Sequence, residues 1–134
     1  MTFTPAAKQT IIDFLNDTKT KPTDYDMILT GDLGLVGSEL LCELAVKEDG
    51  VDLSAVHKDC GLLIFDREKD DVHAGGSGCG CSASVLCSHI LNAMRGGKFK
   101  NILFVATGAL MSTTSSLQGE SIPGIAHAVN IKCN

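Results

Sequence analysis

The sequence lacks an excess of basic residues, a long apolar run and a leader-like start, and each absence excludes a class of protein. Eleven Lys and Arg residues stand against sixteen Asp and Glu residues, which gives a net charge of −5. A nucleic-acid-binding surface, which needs clustered cations, is therefore not expected. The apolar runs, such as 102–106, are far shorter than the roughly 20 residues of a membrane span. No basic segment followed by an apolar one opens the chain, so neither a signal peptide nor a transmembrane segment of its own is predicted.

The composition that remains is that of a folded domain. Apolar residues make up 44% of the 134 residues and charged residues 20%, so a single packed domain over residues 1–134 is expected. A chain of this length forms a core without disulfides, and nothing in it indicates secretion. We therefore predict that all six cysteines are reduced, intracellular thiols: Cys42, Cys60, Cys79, Cys81, Cys87 and Cys133.

The hydrophobic pattern alternates between helical and strand-like periods. Thr4 is predicted to be the N-cap of a helix and Pro5 its first residue, and the apolar spacing extends that helix to about Asp17. The stretch 60–65 is ambiguous between a strand and a buried turn, and 108–123 is predicted to be a long loop. The alternation predicts an α/β fold in which helices pack on one small mixed sheet. Its strands are expected near 26–30, 101–106 and 124–130, and its other helices near 36–47 and 84–95.

Three segments carry a resemblance to a known family. Residues 25–34 read as a strand followed by Gly-Asp-Leu-Gly, and residues 75–84 (Gly-Gly-Ser-Gly-Cys-Gly-Cys-Ser-Ala-Ser) form a glycine-rich turn before a helix. Residues 101–131 add a strand, a distinctive loop containing Met-Ser-Thr-Thr-Ser-Ser-Leu-Gln-Gly, and a last strand. Together they resemble the carboxy-terminal half of the thiolase superfamily, in its initiating ketoacyl synthase branch. Within that superfamily the likeness is to the stage V sporulation protein AD family, and it spans nearly the whole chain.

The resemblance implies a role in bacterial spore formation. It implies a protein that binds dipicolinic acid, alone or with calcium, and assists its uptake into the developing spore. The implied partners are membrane proteins of the same operon and the amino-terminal half of the thiolase-like fold, and the implied location is peripheral to the inner membrane of the spore. A lone half leaves one face uncovered, so the isolated chain is expected to be a homodimer, unstable or prone to aggregate. Two alternatives remain open: a ketoacyl-synthase or thiolase-type acyltransferase, and a scaffold subunit without a ligand.

The same resemblance implies that the chain is not an enzyme. Acyl transfer in the superfamily needs a nucleophilic Cys, which belongs to the amino-terminal half, and a His and an Asn that stabilise negative charge. The His position falls at Gly31, which has no side chain, and the Asn position falls at Cys79, whose thiol is a weak donor. We therefore predict no catalytic residue and no cofactor in this chain.

Four residues of two turns are the predicted ligand-binding site: Gly31, Asp32, Gly78 and Cys79. Because the matching loops converge in the family, the two turns are expected to lie close together. Free N–H groups before a helix favour an anion, although Asp32 has the alternative interpretation of a surface cap for the helix that follows it.

A zinc site built from 79, 81, 87 and two nearby histidines has the wrong spacing, so no metal is predicted and these cysteines are interpreted as buried small residues. His127 is interpreted as a core residue.

Overall fold

The computed structural model describes residues 3–75, 78–109 and 112–134, without the side chains at 115 and 116. Residues 76 and 77 of the glycine-rich stretch and residues 110 and 111 of the long loop therefore lie outside the described part. The main elements are helix α1 (Phe3–Thr18), strand β1 (Met27–Thr30), helix α2 (Gly34–Asp49), strand β2 (His57–Asp59), helix α3 (Cys60–Leu63), helix α4, strand β3 (Asn101–Ala109) and strand β4 (Gly124–Lys132). Helix α4 joins three consecutive segments, Cys81–Val85, Leu86–Ile90 and Leu91–Arg95, and two short helical pieces occur at Pro22–Asp24 and Thr113–Leu117.

The four strands form one mixed sheet in the order β2-β1-β3-β4. Strand β1 is parallel to both β2 and β3, and β4 runs antiparallel to β3. The three strands predicted from the sequence thus belong to one sheet, and the prediction of a mixed α/β fold is confirmed. The architecture is consistent with half of a larger α/β fold.

Both faces of the sheet are covered by helices, which explains the continuous apolar run of β1. Alternate side chains of a strand point to opposite faces. Ile28 and Leu103 face helices α1 and α2, where they join Ile11 and Leu41 in one core cluster. Leu29 and its neighbours on the other face pack against α4 in a second cluster: Met27, Ile102, Val85, Ile90 and Met94. All four residues of β1 are buried, as expected of a central strand between two helical layers.

Helix α4 contains a π-helical turn at Leu86–Ile90. Its buried positions are Cys81, Val85, Ile90 and Met94, so one step in the series is five residues long. In a regular α-helix of 3.6 residues per turn, that step would rotate Ile90 away from the sheet. The wider π turn absorbs the additional residue, and the helix keeps a single buried stripe.

Strand β2 was not predicted from the sequence, which instead favoured a strand or buried turn at 60–65. The strand is His57–Asp59 and the following residues form helix α3. The prediction failed because β2 consists only of polar residues, and its middle residue Lys58 is exposed. Hydrogen bonds of His57 and Asp59, rather than apolar side chains, place this strand in the sheet.

Two other sequence interpretations are wrong. Thr4 does not cap α1, because it lies inside the helix, where its hydroxyl donates to the carbonyl of Gly37 at 3.4 Å. This contact joins α1 to α2 instead. His127 is not a core residue, because it is exposed on β4. Its neighbours Ala126 and Ala128 pack on the core beside α1, so His127 points to the opposite face of this outer strand.

The carboxylate of Asp59 joins the ends of three elements. Its Oδ1 accepts hydrogen bonds from the Thr30 hydroxyl at 2.6 Å and from the Leu33 N–H at 2.9 Å, and its Oδ2 accepts one from the Gly34 N–H at 3.0 Å. Asp59 is only 1% exposed. Burial raises the pKa of this carboxyl, and the three hydrogen bonds act in the opposite direction. A side chain at the end of β2 thus satisfies donors at the start of α2.

The Thr30 hydroxyl also fixes the tautomer of a buried histidine. Because its proton is donated to Asp59, Thr30 Oγ1 accepts from His57 Nε2, which lies at 2.9 Å. His57 Nδ1 is therefore the acceptor, and Cys42 Sγ lies 3.9 Å from it as donor. Burial, followed by the charge of Lys58, lowers the pKa of His57 to about 4. At neutral pH the imidazole is uncharged, as this hydrogen-bond chain requires.

We expect Asp59→Asn to lower the free energy of unfolding by about 3 kcal/mol, because the amide NH2 would face a buried backbone N–H and leave it unsatisfied. Urea denaturation of the purified protein measures the change. The matched control is Asp52→Asn, at an exposed carboxylate that accepts hydrogen bonds only from Ser54; we expect it to cost less than about 1 kcal/mol. Equal effects of the two substitutions would contradict the role given to Asp59.

We expect stability to fall as the pH is lowered from 6.5 towards 4, through the titration of His57. Its pKa is about 4 in the folded chain and about 6.5 when unfolded, so the unfolded state binds more protons within that window. The total loss from this group is about 3 kcal/mol. His57→Gln should flatten the pH profile of the free energy of unfolding, whereas His127→Gln, at an exposed ring, should not. A profile unchanged by His57→Gln would contradict this assignment.

Candidate functional site

The carboxyl ends of β1, β2 and β3 meet at one edge of the sheet, because these three strands are parallel. The chain leaves β1 for β2 on one side and later returns to β3 on the other side. A crevice therefore forms outside β1 and β3, and such a switch point is the usual ligand position in open α/β sheets. The segment after β1 contains Gly31 and Asp32, and the end of β3 contains Thr107 and Gly108.

The two turns singled out from the sequence meet at this crevice. The Gly78 N–H donates to Asp32 Oδ2 at 2.9 Å. Asp32, Gly78 and Cys79 line a cavity of about 250 Å³, together with Phe3, Thr107 and Gly108. The expected proximity of the turns is thus confirmed. Whether the four residues bind a ligand stays a prediction.

Asp32 is not the cap of helix α2, which was its alternative interpretation. The N–H groups of Leu33 and Gly34 at the start of that helix donate to Asp59 instead. The carboxylate of Asp32 lies across the crevice on the glycine-rich turn. The turn therefore already holds an anion, and that anion belongs to the chain itself.

Gly31 packs against β3 so closely that it leaves no room for a side chain. A β-carbon added there would lie 2.8 Å from Thr107 Oγ1 and 3.1 Å from the Thr107 nitrogen. Both distances are shorter than ordinary contacts between nonbonded atoms. A larger residue at this position would have to displace the end of β3.

Two further glycines bring the surrounding loops together. A β-carbon added at Gly61 would collide with the carboxylates of Asp32 and Asp59, and one added at Gly75 would lie 2.5 Å from the Gly61 carbonyl oxygen. Gly75 also has a positive φ of 79°, which disfavours other residues. The start of α3 and the glycine-rich segment are therefore in direct backbone contact.

The turn at 78–80 is open, in contrast. Gly78 has a φ of 84°, and an added β-carbon would meet no atom within 4 Å at Gly78 or at Gly80. Glycine is thus favoured at 78 because the backbone has a positive φ, and not because space for a side chain is lacking. Cys79 at the tip of this turn is exposed, so its side chain is accessible from the cavity.

The cysteines near the site differ in their surroundings. Cys81 is buried, as predicted, but Cys79 and Cys87 are exposed, so the interpretation of all three as buried small residues is wrong for those two. They lie on the outer side of a turn and of a helix, where no other element covers them. Cys60 is buried beneath the site, and burial, followed by the nearby Cys81, raises its pKa to about 12. Among the described residues, no three His, Cys, Asp or Glu side chains are placed to hold a metal ion.

A larger cavity, of about 580 Å³, lies between α2, β2 and α3. Its wall contains Ser38, Cys42, His57 and Arg67, among other residues. The Cys42 thiol and the His57 ring are hydrogen-bonded to each other. Both groups are neutral, since burial lowers the pKa of His57 and raises the pKa of Cys42. We place the candidate site at the smaller cavity, because two loops, a carboxylate and a helix start converge there.

Phe3, Gly61 and Thr107 also belong to this region and were not identified from the sequence. Thr107 directly follows the apolar run of a strand. A residue at the carboxyl end of a strand is a candidate ligand contact in an α/β sheet, so the sequence pattern could have identified it. Phe3 had no such signal, because its place in the cavity wall with residues 32 and 108 arises only when α1 packs on the sheet.

The helices formed by the described residues do not combine the length and apolar character that crossing a membrane requires.

Comparison with known proteins gives two matches. The model of the family described as Stage V sporulation protein AD matches residues 1–132. Stage V sporulation protein AD of Bacillus subtilis (strain 168) is 50% identical over 125 residues, which cover 93% of this chain and 36% of that protein. The chain thus spans about a third of the length of this relative. These matches support a role in spore formation, and they show that the chain belongs to the Stage V sporulation protein AD family.

Proposed function

We propose that this chain forms part of a non-catalytic, thiolase-like protein that binds dipicolinic acid and assists its uptake into the developing spore. The proposal depends on one observation above all. The Gly78 N–H and the Asp32 carboxylate meet at 2.9 Å beside a cavity at the switch point of the sheet. This arrangement binds a carboxylate group now, and a ligand carboxylate would use the same donor.

The cavity has features that suit a small planar dicarboxylate. An exposed backbone N–H before a helix favours an anion, and the ring of Phe3 offers an apolar surface in the same wall. The cavity volume of about 250 Å³ lies just below the roughly 300–1,000 Å³ of complete small-molecule sites. We infer that a further segment completes the site, and the amino-terminal half of the thiolase-like fold is the partner proposed for this.

Asp32 repels a dianionic ligand unless the charge is compensated. Calcium, which prefers carboxylate oxygens, would bridge Asp32 and the ligand. Without calcium, the ligand carboxylate would have to replace Asp32 at the Gly78 N–H. Dipicolinic acid is therefore proposed as the ligand both alone and with calcium, and the two modes make opposite demands on Asp32.

The surroundings of Gly31 and Cys79 support a non-catalytic role. Acyl-transfer catalysis depends on preorganised donors, and the loss of one costs roughly 2.7–4 kcal/mol of transition-state stabilisation. Gly31 offers no donor, and Thr107 occupies the space into which a side chain would extend. Cys79 offers only a thiol, which is a weak donor.

The outer face of α4 is the surface that we propose for the amino-terminal half. It exposes small residues, Ala83, Ser84, Cys87 and Ser88, which let another helix approach closely. In the absence of that half, a second copy of this chain could occupy the face and form a homodimer. Membrane proteins of the developing spore are proposed as further partners, with the protein held at the periphery of the inner membrane.

We expect Cys79→Phe to weaken dipicolinate binding about tenfold or more, because the ring would fill the mouth of the cavity while the open turn tolerates it. Calorimetry on the protein that carries this chain measures the affinity. The matched control is Cys133→Phe, at an exposed cysteine after β4, which should bind as the wild type does. Wild-type affinity in Cys79→Phe would show that the site lies elsewhere, and an acyl-enzyme formed with an acyl-thioester would contradict the non-catalytic role.

We expect Asp32→Asn to strengthen binding of dipicolinate about tenfold in calcium-free buffer. The substitution removes a negative charge beside the ligand but keeps an oxygen that accepts the Gly78 N–H. With calcium present the sign should reverse, since calcium needs the carboxylate as a ligand. Binding that is the same in both buffers and both variants would contradict the placement of Asp32 at the site.

A further inference from the structure

The larger cavity, of about 580 Å³ between α2, β2 and α3, has a buried hydroxyl group in its wall. Ser38 belongs to this wall and is only 7% exposed. Its hydroxyl makes no hydrogen bond with any other residue that the structure describes. A buried hydroxyl without a hydrogen bond is unfavourable and uncommon in folded proteins. A polar group that enters the cavity from outside the chain would therefore be stabilised at Ser38.

Charged side chains of both signs line the same cavity. Glu39 and Glu43 lie one helical turn apart on α2, whereas Lys58 and Arg67 come from β2 and from the segment after α3. All four are exposed, and within the described part of the chain none of them takes part in an ion pair. Two carboxylates at this helical spacing repel each other. The cavity thus offers acceptors for a cation on the α2 side and partners for an anion on the opposite side.

The inner wall of the cavity adds no further charge that a ligand could neutralise. The Asp59 carboxylate already accepts three hydrogen bonds from within the chain, and the His57 ring and the Cys42 thiol are bonded to each other. Apolar surface is supplied by three leucines of the wall: Leu35, Leu62 and Leu63. A ligand that matches this cavity therefore has two opposite charges at the ends of a partly apolar body.

The cavity also lies along the outer edge of the sheet. Strand β2 pairs only with β1 among the described residues, and all three residues of β2 line the cavity. The Ile28 N–H donates to the Val56 carbonyl at 2.9 Å, so in this parallel register the backbone groups of Lys58 face β1. The His57 carbonyl and the Asp59 N–H therefore point to the outer edge, where an extended backbone could pair with them.

We propose that this cavity binds a short linear peptide of two or three residues whose two ends are unblocked. Its ammonium group would lie on α2, among the carboxylates of Glu39 and Glu43 and the Ser38 hydroxyl, and its carboxylate would pair with Lys58 and Arg67. A cavity of about 580 Å³ is about 8 Å across, and two or three extended residues span roughly 7–11 Å. The volume lies within the roughly 300–1,000 Å³ of small-molecule sites. This cavity is distinct from the candidate site, so the proposal holds whichever ligand that site binds.

Calorimetry on the natural protein that carries this chain tests the proposal with the tripeptide Ala-Leu-Ala. Two further probes are the same tripeptide acetylated at its amino end and the same tripeptide amidated at its carboxyl end. The α2 variant is Glu39→Gln with Glu43→Gln. Its matched control, Asp17→Asn with Glu120→Gln, changes the net charge equally at exposed positions outside the cavity. Thermal unfolding of each variant verifies that it is folded.

We expect the wild type to bind the unblocked tripeptide and to bind either blocked form about tenfold more weakly, as the loss of a charged hydrogen bond implies. The α2 variant should bind the unblocked tripeptide about tenfold more weakly and should no longer distinguish it from the acetylated form. The control should bind all three probes as the wild type does. No binding at millimolar concentration, or equal affinity of the wild type for the three probes, would overturn the proposal.

Ser38→Ala separates a binding role of the hydroxyl from a structural one. We expect this substitution to weaken binding of the unblocked tripeptide about fivefold. It should not lower the midpoint of thermal unfolding, because the hydroxyl has no hydrogen bond to lose within the described chain. Unchanged binding in Ser38→Ala, as expected if the hydroxyl is only hydrated, would overturn the proposal. Tighter binding of a blocked probe than of the unblocked one would also overturn it, in favour of a site for a single charge.

Discussion

The buried carboxylate of Asp59 is the interaction on which the arrangement of the remaining elements depends. It receives the hydroxyl of Thr30 at the end of β1 and two N–H groups at the start of α2. An unpaired carboxylate in this position would be strongly unfavourable. Because Asp59 lies at the end of β2 and its donors lie at the end of β1 and the start of α2, these hydrogen bonds fix the positions of β2, β1 and α2 relative to one another. Because Gly61 also packs on this carboxylate, the same group fixes where α3 begins.

The hydrogen bonds of Asp59 also determine the geometry of the candidate site. The carboxylates of Asp59 and Asp32 both lie against the same side of Gly61, where a β-carbon would collide with them, so the close approach of α3 bounds the space in which Asp32 meets the glycine-rich turn. The end of β3 closes the opposite side, where Thr107 fills the space beside Gly31. The crevice is thus bounded by the backbone of two glycines and by four residues with side chains: Phe3, Asp32, Cys79 and Thr107.

The parts of the fold that bury apolar side chains could be predicted from the sequence. The runs at 26–30, 101–106 and 124–130 predicted three strands of one sheet. The resemblance to the family, in which the matching loops converge, predicted that the turns after β1 and before α4 meet. Strand β2 could not be predicted, because all three of its residues are polar, and the side chains of His57 and Asp59 hold it in the sheet by hydrogen bonds to Thr30, which lies far away in sequence. His127 was misplaced for a related reason: an apolar neighbourhood in sequence does not reveal that β4 is an outer strand.

The relation between Asp32 and Gly78 also limits how a ligand can bind. The N–H that would attract a ligand carboxylate is already bonded to an internal one, so binding of an anion is an exchange rather than a simple addition. An exchange releases Asp32 from the turn, and Asp32 lies against Gly61 beside the Asp59 network. Binding of an anion in the cavity would therefore shift the backbone at the start of α3. The sheet beneath the cavity, which is packed on both faces, would keep its structure. Any conformational response to a ligand should be confined to these loops.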